Sequence, residues 1–291
     1  THHVVGYMQG RMTNFAASPN LEMLAVTTDG SASNELFIYE QFTEGETKTQ
    51  LAWSKWVLPE GNVIVGLHFS RARLDLLVLE GTQLVVKRVE LYSAISVGRR
   101  EELYLDDKLE LVSTDGLTVD IPADYPLVAE SLLMGTTGTP FPLLRIPYTV
   151  QGSTLTFTKG SIGAGNTVVL GRPYRSEYTP TRPFLYVDGT PDTTDRVRVN
   201  SFYLSVVDTS EITMRVSSEF ADDTFYSNTA RRLGTRSSVL GKVPFASEDW
   251  RFPFKYQADL ATASFFTESP YGMAITGIRW LGQIHKVFRR V

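Results

Sequence analysis

The chain has 291 residues, too many for one small core, and two or three domains are expected. Apolar residues make up 42% and charged residues 21%, a globular mixture that argues against a disordered chain. With 28 Lys and Arg against 32 Asp and Glu, the net charge is −4 and there is no Cys. That excludes a disulfide framework and a thiolate metal site, and it argues against a general grip on nucleic-acid phosphates while leaving local basic patches open.

The sequence opens Thr1-His2-His3-Val4-Val5, inside an apolar stretch and without an initiator Met, so it reads as a fragment or processed product of a longer protein. Neither a secretory signal nor a run of about 18 apolar residues is visible, and no membrane-spanning helix is expected. Short apolar runs follow: Leu36-Phe37-Ile38-Tyr39, Val63 to Leu67, Leu74 to Leu79 and Leu84-Val85-Val86. Each is rich in strand formers and bounded by turn residues such as Asp29-Gly30, Glu60-Gly61 and Glu80-Gly81. Ala52-Trp53-Ser54-Lys55-Trp56 closes a hairpin. Residues 1–97 therefore read as two antiparallel meanders of about four strands in total, propeller-blade-like but too few to close a propeller.

Residues 98–183 read as a middle β domain rich in Gly, Pro and Thr. Its strands are signalled by Leu155-Thr156-Phe157-Thr158 and its turns by Asp115-Gly116 and Gln151-Gly152. Helix is scarce. Tyr92 to Tyr104 and Tyr125 to Leu133 are the better candidates, and neither has an apolar stripe. Residues 184–291 read as a C-terminal sandwich-like segment with a turn at Asp188-Gly189. In Val197-Arg198-Val199 and Ile212-Thr213-Met214-Arg215-Val216 alternate residues are apolar, as in a sheet with one wet face. The expected fold class is all-β and multi-domain, with blade-like antiparallel sheets followed by sandwich- or barrel-like units.

Motifs for chemistry are sparse. His2, His3, His68 and His285 have no metal-ligand spacing. The carboxylate pairs Glu101-Glu102, Asp106-Asp107, Asp222-Asp223 and Glu248-Asp249 are sequence neighbours, which point to opposite faces of a strand and read as solvated. No Gly-x-Ser-x-Gly occurs. In Lys159-Gly160-Ser161-Ile162-Gly163-Ala164-Gly165-Asn166-Thr167 the Lys precedes the glycines, so the segment reads as a hairpin connection and not a phosphate loop. No catalytic residue, cofactor or metal site is expected. Basic clusters occur at Arg71-Ala72-Arg73, at Arg172-Pro173-Tyr174-Arg175 and at Arg231-Arg232-Leu233-Gly234-Thr235-Arg236. Arg231, Arg232, Arg236, Arg172 and Arg175 are the candidates for an interface or for facing DNA; in a chain of net negative charge, protein interfaces and solvated faces are favoured.

Several stretches, in this order, carry a family likeness. They are Asn34 to Tyr39, Lys48 to Trp56, Leu103 to Lys108, Val168 to Tyr178, Phe252-Pro253-Phe254, and Trp280 to Arg290. Together they resemble the tail tubular protein B family, the nozzle proteins of short-tailed phages (podoviruses), over essentially the whole chain. No single stretch is specific; their order is. The resemblance implies the C-terminal portion of a virion tail subunit. It further implies a homo-hexameric ring, next to a tail tubular protein A ring and tail fibres, that retains double-stranded DNA and then conducts it toward the host. It carries over no catalytic residue. Two other readings stay open: a glycan-binding or glycan-degrading tail protein acting at the host cell surface, and an unrelated propeller-type interaction module.

Overall fold

The structure is a computed structural model that describes residues 8–44, 47–71, 73–91, 103–135, 144–158, 162–183, 185–187, 190–192, 196–231 and 243–285. Every regular element among these residues is a β-strand. They form seven sheets with antiparallel pairings, none closed into a barrel. The chain divides into two compact units, Thr1–Ser96 and Val97–Val291.

The first unit holds two meanders. β1 (Met12–Ser18), β2 (Met23–Thr28), β3 (Glu35–Glu44) and β4 (Thr47–Val57) pair in sequence order. β5 (Asn62–Ser70), β6 (Arg73–Glu80) and β7 (Gln83–Glu90) form the second sheet. The expected two meanders are present, with seven strands instead of about four. Of the added strands, β1 shows no inward apolar stripe: it reads MTNFAAS and leaves Phe15 exposed. The core is the inward set of both sheets, with Ala25, Leu36 and Ile38 packed with Ile64, Leu74, Leu76 and Val78. Leu74, Leu76 and Val78 are spaced by two, as the pleat requires.

The second unit begins with two facing sheets. One has the order β11 (Leu144–Arg145), β10 (Leu132–Gly135), β14 (Thr167–Pro173), β8 (Leu105–Val112). The other has the order β12 (Tyr148–Gln151), β13 (Thr154–Phe157), β9 (Thr118–Asp120). Leu133, Val168 and Leu170 meet Val119, Leu155 and Phe157 between them. On the reverse side Leu105, Leu132, Met134 and Val169 pack against Leu103 and Tyr271. β10 is thus buried on both faces. The helix expected over Tyr125 to Leu133 does not form: Pro126 pushes Tyr125 out of the helical region, and Leu132 and Leu133 enter β10. The other helix candidate lies outside the described residues except for Leu103 and Tyr104, which precede β8 without regular structure.

The segment Lys159 to Thr167 is not a hairpin. It runs from β13 to β14, which belong to different sheets, and its residues 159–161 lie outside the described set. Its glycines meet the Asp115-Gly116 turn. Gly116 has φ +75, and a Cβ there would lie 2.8 Å from the Gly163 carbonyl carbon. The turn is held by Asp115, whose carboxylate accepts bonds from the backbone N–H of Leu117 (2.8 Å) and Thr118 (2.7 Å) and from the Thr118 hydroxyl (2.8 Å).

After the hairpin β16 (Leu185–Val187) and β17 (Thr190–Asp192) come two larger sheets. One has the order β15 (Ser176–Tyr178), β22 (Ala261–Thr267), β19 (Glu211–Ser218), β20 (Ala221–Thr229). The other has the order β21 (Asp249–Gln257), β18 (Arg196–Val206), β23 (Ile275–His285). Alternate residues of β18 and β19 are buried, as the sequence pattern requires. Phe202, Phe252, Phe254 and Phe265 fill the layer between the sheets, with ring centroids 5.2–5.8 Å apart and planes tilted edge-to-face.

Two outcomes follow. Phe252→Ala, which opens a cavity beside Phe265, is expected to lower unfolding free energy by about 3–5 kcal/mol in urea titration. The Asp115 carboxyl is held at about 2, below its ordinary 3.8, by the Leu117 and Thr118 amides. The turn is therefore fully supported above pH 3.8 and loses that support as pH falls through about 2. The Thr118 amide resonance should titrate with that low midpoint; an ordinary carboxylate midpoint would contradict it.

Candidate functional site

The candidate arginines occupy different settings. Arg172 follows Gly171 on β14, at an irregularity where β8 carries one extra residue. The extra residue lets Asp107 take φ +49. A Cβ on Gly171 would lie 2.7 Å from the Leu105 Cβ, so the close approach of the strands requires glycine. The Arg172 guanidinium pairs with the Asp107 carboxylate, both side chains being 18% exposed. Tyr125 donates its hydroxyl to the Asp107 carbonyl oxygen at 3.0 Å, and burial, with Asp107 nearby, pushes its phenol up to about 12. Arg172 Nε is buried without a hydrogen-bond partner among the described residues.

The Arg175 guanidinium carbon lies over the Phe266 ring, 3.6 Å from its centroid, and its Nε meets Glu177 at 3.0 Å. Glu177 also accepts from Arg215 at 3.1 Å, and Arg215 approaches Asp223 at 3.9 Å. This network lies on the outer face of the sheet containing β22 and β19, because Ala263, Phe265, Met214 and Val216 take the inner face.

Arg231 is exposed at the end of β20 and lines a cleft of about 430 Å³, together with Arg145, Glu211, Glu268 and Tyr271. Burial raises the Tyr271 phenol to about 12. Arg232 and Arg236 lie outside the described residues. The structure thus brings Arg172, Arg175 and Arg231 into three separate settings.

The other signals are quickly placed. Arg71, with φ 56, sits in the turn between β5 and β6. His68 is exposed on β5 and His285 ends β23; His2 and His3 lie outside the described residues. Among the described residues no group of three His, Asp or Glu could hold a metal ion. Glu248 accepts from the Trp250 indole at 2.9 Å, and Asp249 accepts from Ser205 at 2.6 Å, so these neighbouring carboxylates have different partners. Asp222 and Asp223 are exposed, and Glu101 and Glu102 lie outside the described residues.

One feature escaped the sequence reading. Arg196, Arg198, Arg251, Lys255 and Arg279 are all exposed on the three strands of the sheet β21-β18-β23, against Asp249 as their one acid. Tyr203 is the cross-strand partner of both Arg251 and Arg279, whose guanidinium carbons lie 6.0 and 5.9 Å from its ring centroid. Arg279 also pairs with Asp249. The available signal was the alternation in β18, which places Arg196 and Arg198 opposite the buried Val197 and Val199.

Stacked antiparallel sheets, arginines engaged by carboxylates and rings, and charge gathered on outer strand faces define a multi-sheet all-β scaffold. The sequence profile of the bacteriophage nozzle protein matches residues 1–291, and the chain belongs to the bacteriophage nozzle protein family. It is therefore a structural protein of the phage virion tail, in a family that is not one of enzymes. A comparison with curated proteins finds no match. No described helix is long and apolar enough to cross a membrane.

Arg172→Ala removes the guanidinium that pairs with the partly buried Asp107 and is expected to cost about 1–3 kcal/mol. Arg175→Ala breaks a more exposed pair and should cost about 1 kcal/mol or less. Urea unfolding of the two variants side by side checks the order, and equal losses would contradict it.

Proposed function

We propose that the chain is a subunit of a ring-shaped nozzle, a homo-hexamer in the full-length protein, that retains phage DNA and then conducts it during ejection. Family membership across residues 1–291 is the observation that carries this reading. The charge chemistry supports it. A conduit must let a polyanion slide, and each free cation on its wall adds to the grip. Arg172 is paired with Asp107 and Arg175 with Glu177, and the chain as a whole is −4. We read residues 1–97, with both meanders, as propeller-blade-like, and the protein as non-enzymatic. The tail tubular protein A ring and tail fibres are its expected neighbours in the particle.

Negative-stain electron microscopy of the full-length protein is the direct test, with six-fold rings expected. A strict monomer at every concentration, and in the particle, would end the ring reading.

A second reading rests on the cleft beside Arg231, where Glu211 from β19 and Glu268 from beyond β22 line one opening. Carboxylates from separate elements are what a glycan-active site needs. Turnover of host capsule or peptidoglycan that Glu211→Gln or Glu268→Gln abolishes would establish it. No turnover is the expected result.

A further inference from the structure

The C-terminal sandwich is electrically polarised. Its two sheets share one core, with Val199, Phe202 and Phe252 on one side and Met214, Ala263 and Phe265 on the other, so their outer faces look in opposite directions. The strands of β21-β18-β23 carry five bases and one acid, a balance of +4. The strands of β15-β22-β19-β20 carry Glu177, Glu211, Asp222 and Asp223 against Arg215, a balance of −3, which Arg175, reaching this face from just before β15, reduces to −2. Among the described residues, Arg196, Arg198 and Lys255 have no ion-pair partner on the first side, and Glu211 and Asp222 have none on the second.

Each side also has what an interface centre uses. Leu281, 53% exposed, and the Arg251–Tyr203–Arg279 row lie on the basic side. Phe225, 56% exposed, stands beside Phe266 and Arg175 on the acidic side. Aromatic residues and Arg are enriched at protein interfaces, and opposite charge fixes register and partner.

We propose that the basic face of one copy docks on the acidic face of the next copy. Two different faces of one body meeting head to tail make a heterologous contact, the kind that closes into a ring when its rotation allows. The proposal deepens the ring reading and rests on it. It also keeps the basic face away from a DNA channel, where it would hold the polyanion.

Charge reversal tests it on the full chain. Arg198→Glu with Lys255→Glu takes the basic sheet from +4 to neutral, with an acidic patch at its centre; Glu211→Lys with Asp222→Lys takes the strands of the acidic sheet from −3 to +1. In sedimentation velocity the unaltered protein should self-associate, more weakly as salt is raised. Each double variant alone should lose affinity on the order of tenfold or more, and an equimolar mixture of the two should recover association. Self-association unchanged in both variants overturns the contact, and rings that persist in them leave the ring reading standing without it. An unaltered protein that stays monomeric removes both. A first variant that assembles normally but no longer binds duplex DNA would assign the basic face to nucleic acid instead. Circular dichroism confirms that each variant is folded.

Discussion

Alternate residues of β18, β19, β21 and β22 converge on one apolar layer, and the outer surfaces of the sandwich follow from that burial. A strand that commits Val197, Val199, Phe202, Leu204 and Val206 to the core must turn Arg196, Arg198 and Tyr203 outward. Burying each large side chain stabilises the fold by about 1.5–3 kcal/mol. A slip by one residue would put phenylalanines in water and arginines in the core. Register is therefore fixed by the core, and the charged faces inherit it.

The irregularities in the ladders act on top of this. Between Val199 and Ser201 the register with both β21 and β23 shifts. Lys255, with φ 63, lies in the shifted part of β21 between Phe254 and Tyr256, which both face the core layer. The shift keeps two aromatic rings inside while the ammonium stays out. At β8 the extra residue does the same for polar partners: Asp107 meets Arg172, 65 residues away, because the strand bends there. A bend in the backbone decides whether a guanidinium is held or free.

How much of this could be read from the residues depended on how local the signal was. β13 and β19 alternate strictly, and β18 does so over Arg196 to Val199, so their strand state and wet face were visible. β10 is apolar on both faces and has no period, so Leu132 and Leu133 passed for a helix end. The Lys159 to Thr167 connection was misread because its length says nothing about which sheets it joins. Arg172 and Arg175 were visible as a cluster, but Asp107 and Phe266 were not visible as their partners. Net charge hid the basic face, because Arg196, Arg251 and Arg279 share a surface only once three strands pair.

A near-neutral chain can thus present two strongly different surfaces, and the distinction would matter in the proposed conduit. A wall that slides past DNA and a contact that holds a ring together make opposite demands on positive charge. The first needs cations neutralised or absent; the second gains from cations that meet carboxylates on a partner. On the proposed ring reading, pairing Arg172 with Asp107 within the subunit would answer the first demand. On the same reading, placing Arg198 and Lys255 opposite Glu211 and Asp222, across the thickness of one sandwich, would answer the second. Both solutions use the same device, a β-sheet whose inner face is fixed by phenylalanine and whose outer face is free to carry charge.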